Sequence, residues 1–194
     1  MILILDQEYP CVMGGPVLRA VDPAIFTLRY FTHCMSCGFC HDACCGHGVD
    51  IDLGNAARLR DLPKDFHDRI GAPPDAWFTG EIVPDVEFAG GAHVRTSVRD
   101  GACVFRNPAG RGCTIHAYCL EQGLDYHLLK PMVSVLFPVT FEQGVLTASG
   151  EAADGSLVCS GEGPSLYDGA RDELRYYFGP GLIAELEELK AGHD

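Results

Sequence analysis

Five of the chain's ten cysteines fall within the fifteen residues from His33 to His47. Cys34, Cys37, Cys40 and Cys44 follow the pattern C-x2-C-x2-C-x3-C, and Cys45 comes next. Thiolates this crowded repel one another, and free thiols oxidise. A run of this density therefore needs a partner that shares the charge, either a metal ion or an iron–sulfur cluster. Residues 32–48 contain Gly38, Gly46 and Gly48 and have no apolar period, so they are expected to form a loop held by whatever the sulfurs bind.

The rest of the composition narrows the function classes. At 194 residues, the chain is long enough for one domain, 1–194, with a sizeable core. The net charge is −13 and no basic run occurs, which argues against nucleic-acid binding. An acidic surface suits solubility or a basic partner protein. The apolar start, Ile2 to Leu5, is too short for a signal peptide, and no run approaches the ~20 apolar residues of a membrane span. A cytoplasmic protein without a membrane segment is the expectation. In a reducing compartment, cysteines read as ligands or catalytic groups before they read as disulfides.

Periodicity predicts α+β architecture: a small irregular antiparallel sheet with short helices, organised around a cysteine-rich metal site. Ile2–Leu5 and Phe26–Phe31 read as strands, the second delivering the chain to the cysteine loop. Asp52–Leu62 reads as a helix capped by Asp52, and Lys64–Ile70 as another, opened by Pro63 and closed by Gly71. Glu81–Glu87 and His93–Val98 suggest strands, with Pro84 confining the first to a sheet edge. Cys103–Phe105 reads as a further strand. Thr114–Gln122 reads as a helix stopped by Gly123. Val133–Phe141 and Val145–Ala148 suggest a hairpin about Glu142-Gln143-Gly144. Residues 149–164 read as a loop containing Cys159. Two amphipathic helices follow, about Ser165–Phe178 and Gly181–Lys190, broken at Gly179-Pro180.

The later cysteines are candidates to complete the site. Cys103 and Cys113 flank a Gly-rich turn, Asn107 to Gly112, and can point toward one place. Cys159 sits where no packing reason calls for cysteine. Cys119 lies on a predicted helix and Cys11 stands alone, so neither is counted as a ligand. The candidate set is Cys34, Cys37, Cys40, Cys44, Cys45, Cys103, Cys113 and Cys159, enough for two four-sulfur sites. Structural zinc usually takes two C-x2-C knuckles separated by a spacer. Here three cysteines repeat at intervals of three and a fourth follows four later. This is the spacing with which bacterial ferredoxins wrap a [4Fe–4S] cluster, except that Cys45 stands where their proline does. A [4Fe–4S] cluster is therefore favoured, with zinc or mononuclear iron as the alternative. His33, His41 and His47 surround the run, and His116 lies one turn from both Cys113 and Cys119; each is a lesser candidate for ligand or supporting hydrogen bond. No P-loop, G-x-G-x-x-G, G-x-S-x-G or H-E-x-x-H motif is present.

Cys34-Met35-Ser36-Cys37-Gly38-Phe39-Cys40 followed by Cys44-Cys45 resembles the opening of the YkgJ-type cysteine-cluster family, a zinc- or iron-chelating domain. Cys103, then Cys113-Thr114-Ile115-His116, then Lys130-Pro131 through Pro138 are similar in order to the family's second half. His116 replaces a tyrosine of that pattern, and Ser134 stands where its last cysteine would be. The resemblance covers roughly residues 34–138. It implies metal binding through these cysteines, with one ligand position changed to serine. Flagellin lysine N-methylase carries a related cysteine-rich segment. By that analogy, a cluster-dependent enzyme acting on protein lysine stands beside a structural zinc module as an alternative function, and enzymatic activity stays open.

Overall fold

The computed structural model describes residues 1–31 and 39–192. The architecture is mixed α+β, with several short helices. Among the described residues, four small sheets replace the one irregular sheet expected, and one strand pairing is parallel. The chain divides into two compact units. One comprises Met1–Thr32, Val86–Ala89 and Leu136–Asp194, and the other comprises His33–Asp85 and Gly90–Val135. No helix among the described residues is long and apolar enough to cross a membrane.

The first unit is built on a four-stranded sheet in the order Leu3–Pro10, Val17–Val21, Val145–Ala148, Val139–Glu142. Its last two strands form the expected hairpin about Gln143-Gly144, both at positive φ (52° and 78°), as a tight two-residue turn requires. Glu87 fastens that turn, accepting hydrogen bonds from the backbone N–H groups of Gln143 (2.8 Å) and Gly144 (2.9 Å). The central strand Val17–Val21 buries Leu18 and Val21 completely. The region 26–31 is not one strand. Pro23 fixes the backbone, and Asp22 accepts from the Ala24 N–H at 2.9 Å, so one helical turn forms at Ala24–Thr27. Only Arg29–Tyr30 pairs as a strand, with Ser160–Ser165. Likewise, the β-branched run after Lys130 begins as a short helix, Met132–Leu136, because the Pro131 carbonyl accepts from Ser134 and Val135.

The C-terminal segment Leu166–Ala191 is helical on both sides of Gly179, whose φ of 83° interrupts it immediately before Pro180. Ser165 caps its start: its hydroxyl accepts from the Asp168 N–H (3.1 Å) and donates to the Asp168 carboxylate (2.6 Å). Lys190 reaches the same carboxylate at 2.7 Å, tying the second half of the segment to the first.

The second unit has a three-stranded antiparallel sheet in the order Asp50–Asp52, Ala92–Arg95, Val83–Pro84. Pro84 lies in an edge strand, as its missing N–H demands. Helix Leu53–Arg60 starts at Asp52, whose carboxylate accepts from the Asn55 N–H at 2.7 Å. Helix Lys64–Ile70 ends at Gly71 in the left-handed conformation (φ 66°). The core is centred on Trp77, fully buried, with Phe66 at 5.8 Å and Phe105 at 5.4 Å edge-on. The Trp77 indole N–H donates to the Ala72 carbonyl at 2.8 Å, so its one polar atom is satisfied.

The Asp168 contacts make a pH prediction. Burial pushes this carboxyl up, but the hydrogen bonds from Lys190 and Ser165 more than offset it, so its pKa lies below the ordinary value. A carboxylate depressed in the folded state adds stability that is present above about pH 4, the unfolded value, and is lost as pH falls through the folded pKa. Asp168→Asn is expected to flatten that acid limb in thermal melts taken from pH 6 down to pH 2. An acid limb as steep as in the parent protein would contradict the assignment.

Candidate metal centre

The site lies in the second unit and is assembled by two segments far apart in sequence. The first is the end of the cysteine run, 39–48. Cys40 is buried, while Cys44 and Cys45 are half-buried on a single 3-10 turn, Ala43–Gly46. His41 and Asp42 precede that turn at positive φ (51° and 57°). The second segment is Val98–Cys113. Asp100-Gly101, both at positive φ, close a hairpin that pairs Val98 with Cys103. After the turn Asn107 to Gly112, Cys113 returns beside Arg106 and becomes the residue that starts helix Thr114–Gln122. Cys103 and Cys113 both pack against the core that holds Trp77 and Phe105.

Electrostatics record how close these sulfurs lie. The Cys45 thiol donates to the Cys44 sulfur, which lowers the Cys44 pKa to about 7 against the opposing effect of burial; Lys130 lowers it further. Cys45 is pushed up by the same hydrogen bond, by burial, and by the nearness of Cys44, Cys113 and Cys103. Burial raises Cys103, partly offset by its contacts with Thr96 and the positive charge of Arg95. Cys44, Cys103 and Cys113 therefore all lie near enough to Cys45 to oppose its ionisation, and Cys113 opposes that of Cys103. A bound cation would relieve this.

The segment leaving the cysteine turn is held tightly. Thr96, 1% exposed, accepts through its hydroxyl from the Val49 N–H (2.8 Å) and from the Cys103 thiol (3.4 Å). Gly48, at φ 68°, passes so close to the Thr96 carbonyl that a Cβ there would lie 2.7 Å from the oxygen. Arg95 clamps Asp50 with 2.9 Å contacts and donates to the His47 carbonyl at 3.0 Å. At the other end, Asp42 accepts from the Gly112 N–H (3.1 Å), and Arg111 donates to the Cys40 sulfur (3.2 Å). The stretch around Lys130 is fixed by helix Leu53–Arg60: Arg58 donates to the Leu128 carbonyl at 2.9 Å, and Asn55 to that of Lys130 at 3.3 Å.

Of the residues singled out from sequence, Cys40, Cys44, Cys45, Cys103 and Cys113 belong to this unit. Cys34, Cys37 and His33 lie outside the described residues. Cys159 belongs to the other unit, where it is buried and its carbonyl accepts from the Phe31 N–H at 3.0 Å. Cys119 is completely buried in the core, which with the nearness of Cys113 pushes its thiol up to about 11. His41 and His47 are exposed. His116 stacks on Tyr126 at 4.5 Å, and Tyr126 stacks on His127 at 4.1 Å. Ser134 is half-buried in helix Met132–Leu136. Asp42, Thr96, Arg95 and Arg111 are contributors that motif spacing does not reveal. The Asp100-Gly101 pair is the one local signal that places Cys103 on a hairpin.

The donor set suits a thiophilic metal, since it offers sulfurs with carboxylates and cations arranged around them. Among the described residues, no group of three or more His, Cys, Asp or Glu side chains is arranged to hold one metal ion. Comparison of the chain with protein-family models, curated proteins and solved structures finds no match.

Thr96 gives the prediction of this section. Thr96→Val keeps the shape but leaves the part-buried Val49 N–H without its acceptor, a cost of about 1 kcal/mol. Urea denaturation should show that loss, with Thr96→Ser retaining most of the stability. Equal midpoints for Thr96→Val and the parent protein would contradict the role assigned to the hydroxyl.

Proposed function

We propose that this chain is a metal-binding protein whose second unit holds an iron–sulfur cluster, a [4Fe–4S] centre in the favoured form, through clustered cysteines. The observation that carries the reading is that the turn bearing Cys44 and Cys45 packs against the strand bearing Cys103, more than fifty residues away, with Cys113 also near enough to oppose the ionisation of Cys45. Cys40, on the same loop, is tied through Arg111 to the turn that precedes Cys113. The spacing of Cys34, Cys37, Cys40 and Cys44 supports iron–sulfur ligation over zinc knuckles. The order of Cys103, Cys113 and Lys130-Pro131 supports kinship with the YkgJ-type cysteine-cluster proteins.

When bound, such a cluster supplies one-electron chemistry or a Lewis-acidic iron. The chain's own residues supply the surroundings. Lys130 and Arg95 carry positive charge toward Cys44 and Cys103 and so offset the charge of the thiolates. The core beneath Cys103 and Cys113 removes water from one side, which strengthens those interactions. Because the ligands come from separate segments, loading is coupled to the folding of this unit.

Anaerobic purification followed by iron, acid-labile sulfide and zinc analysis tests the reading. Iron and sulfide in near-equal amounts, with loss of both in Cys44→Ser or Cys113→Ser, are expected. Zinc at one per chain with no labile sulfide would overturn the iron–sulfur assignment in favour of a structural zinc module. Protein that takes up none of these metals on reconstitution would overturn metal binding altogether.

A further inference from the structure

We infer that Arg111 is a positioning residue for Cys40, holding its sulfur in place to ligate, and that Asp42 sets Arg111 in place. This rests on the reading of Cys40 as a metal ligand. Arg111 reaches two partners at once: one guanidinium nitrogen is 3.2 Å from the Cys40 sulfur, and the other is 3.4 Å from an Asp42 carboxylate oxygen. The second Asp42 oxygen accepts from the Gly112 backbone N–H at 3.1 Å. Asp42 and Arg111–Gly112 therefore form a closed clamp between the cysteine loop and the turn before Cys113.

The chemistry of the contact suits a sulfur that is to ligate. A guanidinium has N–H groups to give and nothing to accept with, so it meets the sulfur as donor, and that bond is strongest when the sulfur is a thiolate. The Asp42 side chain is only 9% exposed. Without a cation between them, its carboxylate would oppose a thiolate at Cys40; the fixed fork of arginine separates the two charges and binds both. Lysine offers a point charge that answers one partner well and the other poorly. The backbone agrees: Asp42 takes positive φ (57°), an unfavourable conformation for a residue with a side chain, which aims its carboxylate at the turn. Groups that hydrogen-bond to metal ligands typically change metal affinity by about 10–100-fold when removed.

Cobalt(II) titration of the full, reduced chain under anaerobic conditions tests this, read by the thiolate-to-cobalt charge-transfer absorption. Arg111→Met should weaken cobalt binding about tenfold or more and lower the charge-transfer intensity per cobalt toward that of Cys40→Ala. Arg111→Lys should recover part of both. Combining Arg111→Met with Cys40→Ala should cost no more than Cys40→Ala alone, because the arginine acts through that sulfur. Additive losses in the double variant, or an Arg111→Met protein with parental affinity and spectrum, would overturn the inference. If circular dichroism shows that Arg111→Met does not fold, Asp42→Asn and Arg111→Lys carry the same comparison with Cys40→Ala. A parent chain that gives no charge-transfer band sinks the metal-centre reading itself; a parent chain that gives one while the Arg111 variants match it sinks the positioning role alone.

Discussion

The buried hydroxyl of Thr96 is the contact on which the second unit's arrangement depends. Strand Ala92–Arg95 pairs with Asp50–Asp52, and the ladder extends by one step to Val49, where the Thr96 hydroxyl replaces a backbone carbonyl as acceptor. That substitution frees the Thr96 carbonyl to lie against Gly48, where only a glycine leaves room. The same hydroxyl accepts a hydrogen bond from the Cys103 thiol. One side chain thus fixes both where the cysteine loop rejoins the sheet and where the first of the distant cysteines points. The nearness of Cys44 and Cys45 to Cys103 and Cys113 follows from that junction and from the Asp42–Arg111 clamp at the loop's other side.

This arrangement has an energetic logic. Cys44, Cys45, Cys103 and Cys113 are half-buried, and burial together with neighbouring sulfurs makes the Cys45 and Cys103 thiolates harder to form than in water. Fixed positive groups, Arg95, Arg111 and Lys130, stand around them in a chain whose net charge is −13. An acidic protein that places two arginines and a lysine at its sulfurs offsets the charge where it is most costly. A metal would complete that compensation.

Features set by neighbours in sequence were legible in the chain; features set by distant contacts were not. Helices Lys64–Ile70 and Thr114–Gln122 fall where expected because Pro63, Gly71 and Gly123 define their ends locally. The hairpin at Gln143-Gly144 and the break at Gly179 were readable for the same reason. The segment 26–31 was misread because its alternation imitates a strand, while Asp22 and Pro23 just before it nucleate a helical turn. The run after Lys130 was misread in the same way: its valines favour a strand, but Pro131 starts a helix. The central strand Val17–Val21 went unread although Gly14-Gly15-Pro16 marks the turn before it, and its place in the sheet is set by pairing on both edges. At the site, cysteine spacing revealed the candidate ligands. Asp42, Thr96 and Arg111 stayed hidden because each acts across 7 to 71 residues of sequence on a group that no motif couples to it.

The central claim is that the cysteine run and the pair Cys103 and Cys113 serve one metal centre. Differential alkylation resolves it residue by residue: the reconstituted and the metal-free chain are treated with iodoacetamide, and each cysteine peptide is quantified by mass spectrometry. The account predicts that reconstitution protects Cys40, Cys44, Cys45, Cys103 and Cys113 together, and that a chelator exposes them together. Protection confined to the cysteine run, with Cys103 and Cys113 alkylated as fast as in the metal-free chain, would contradict it.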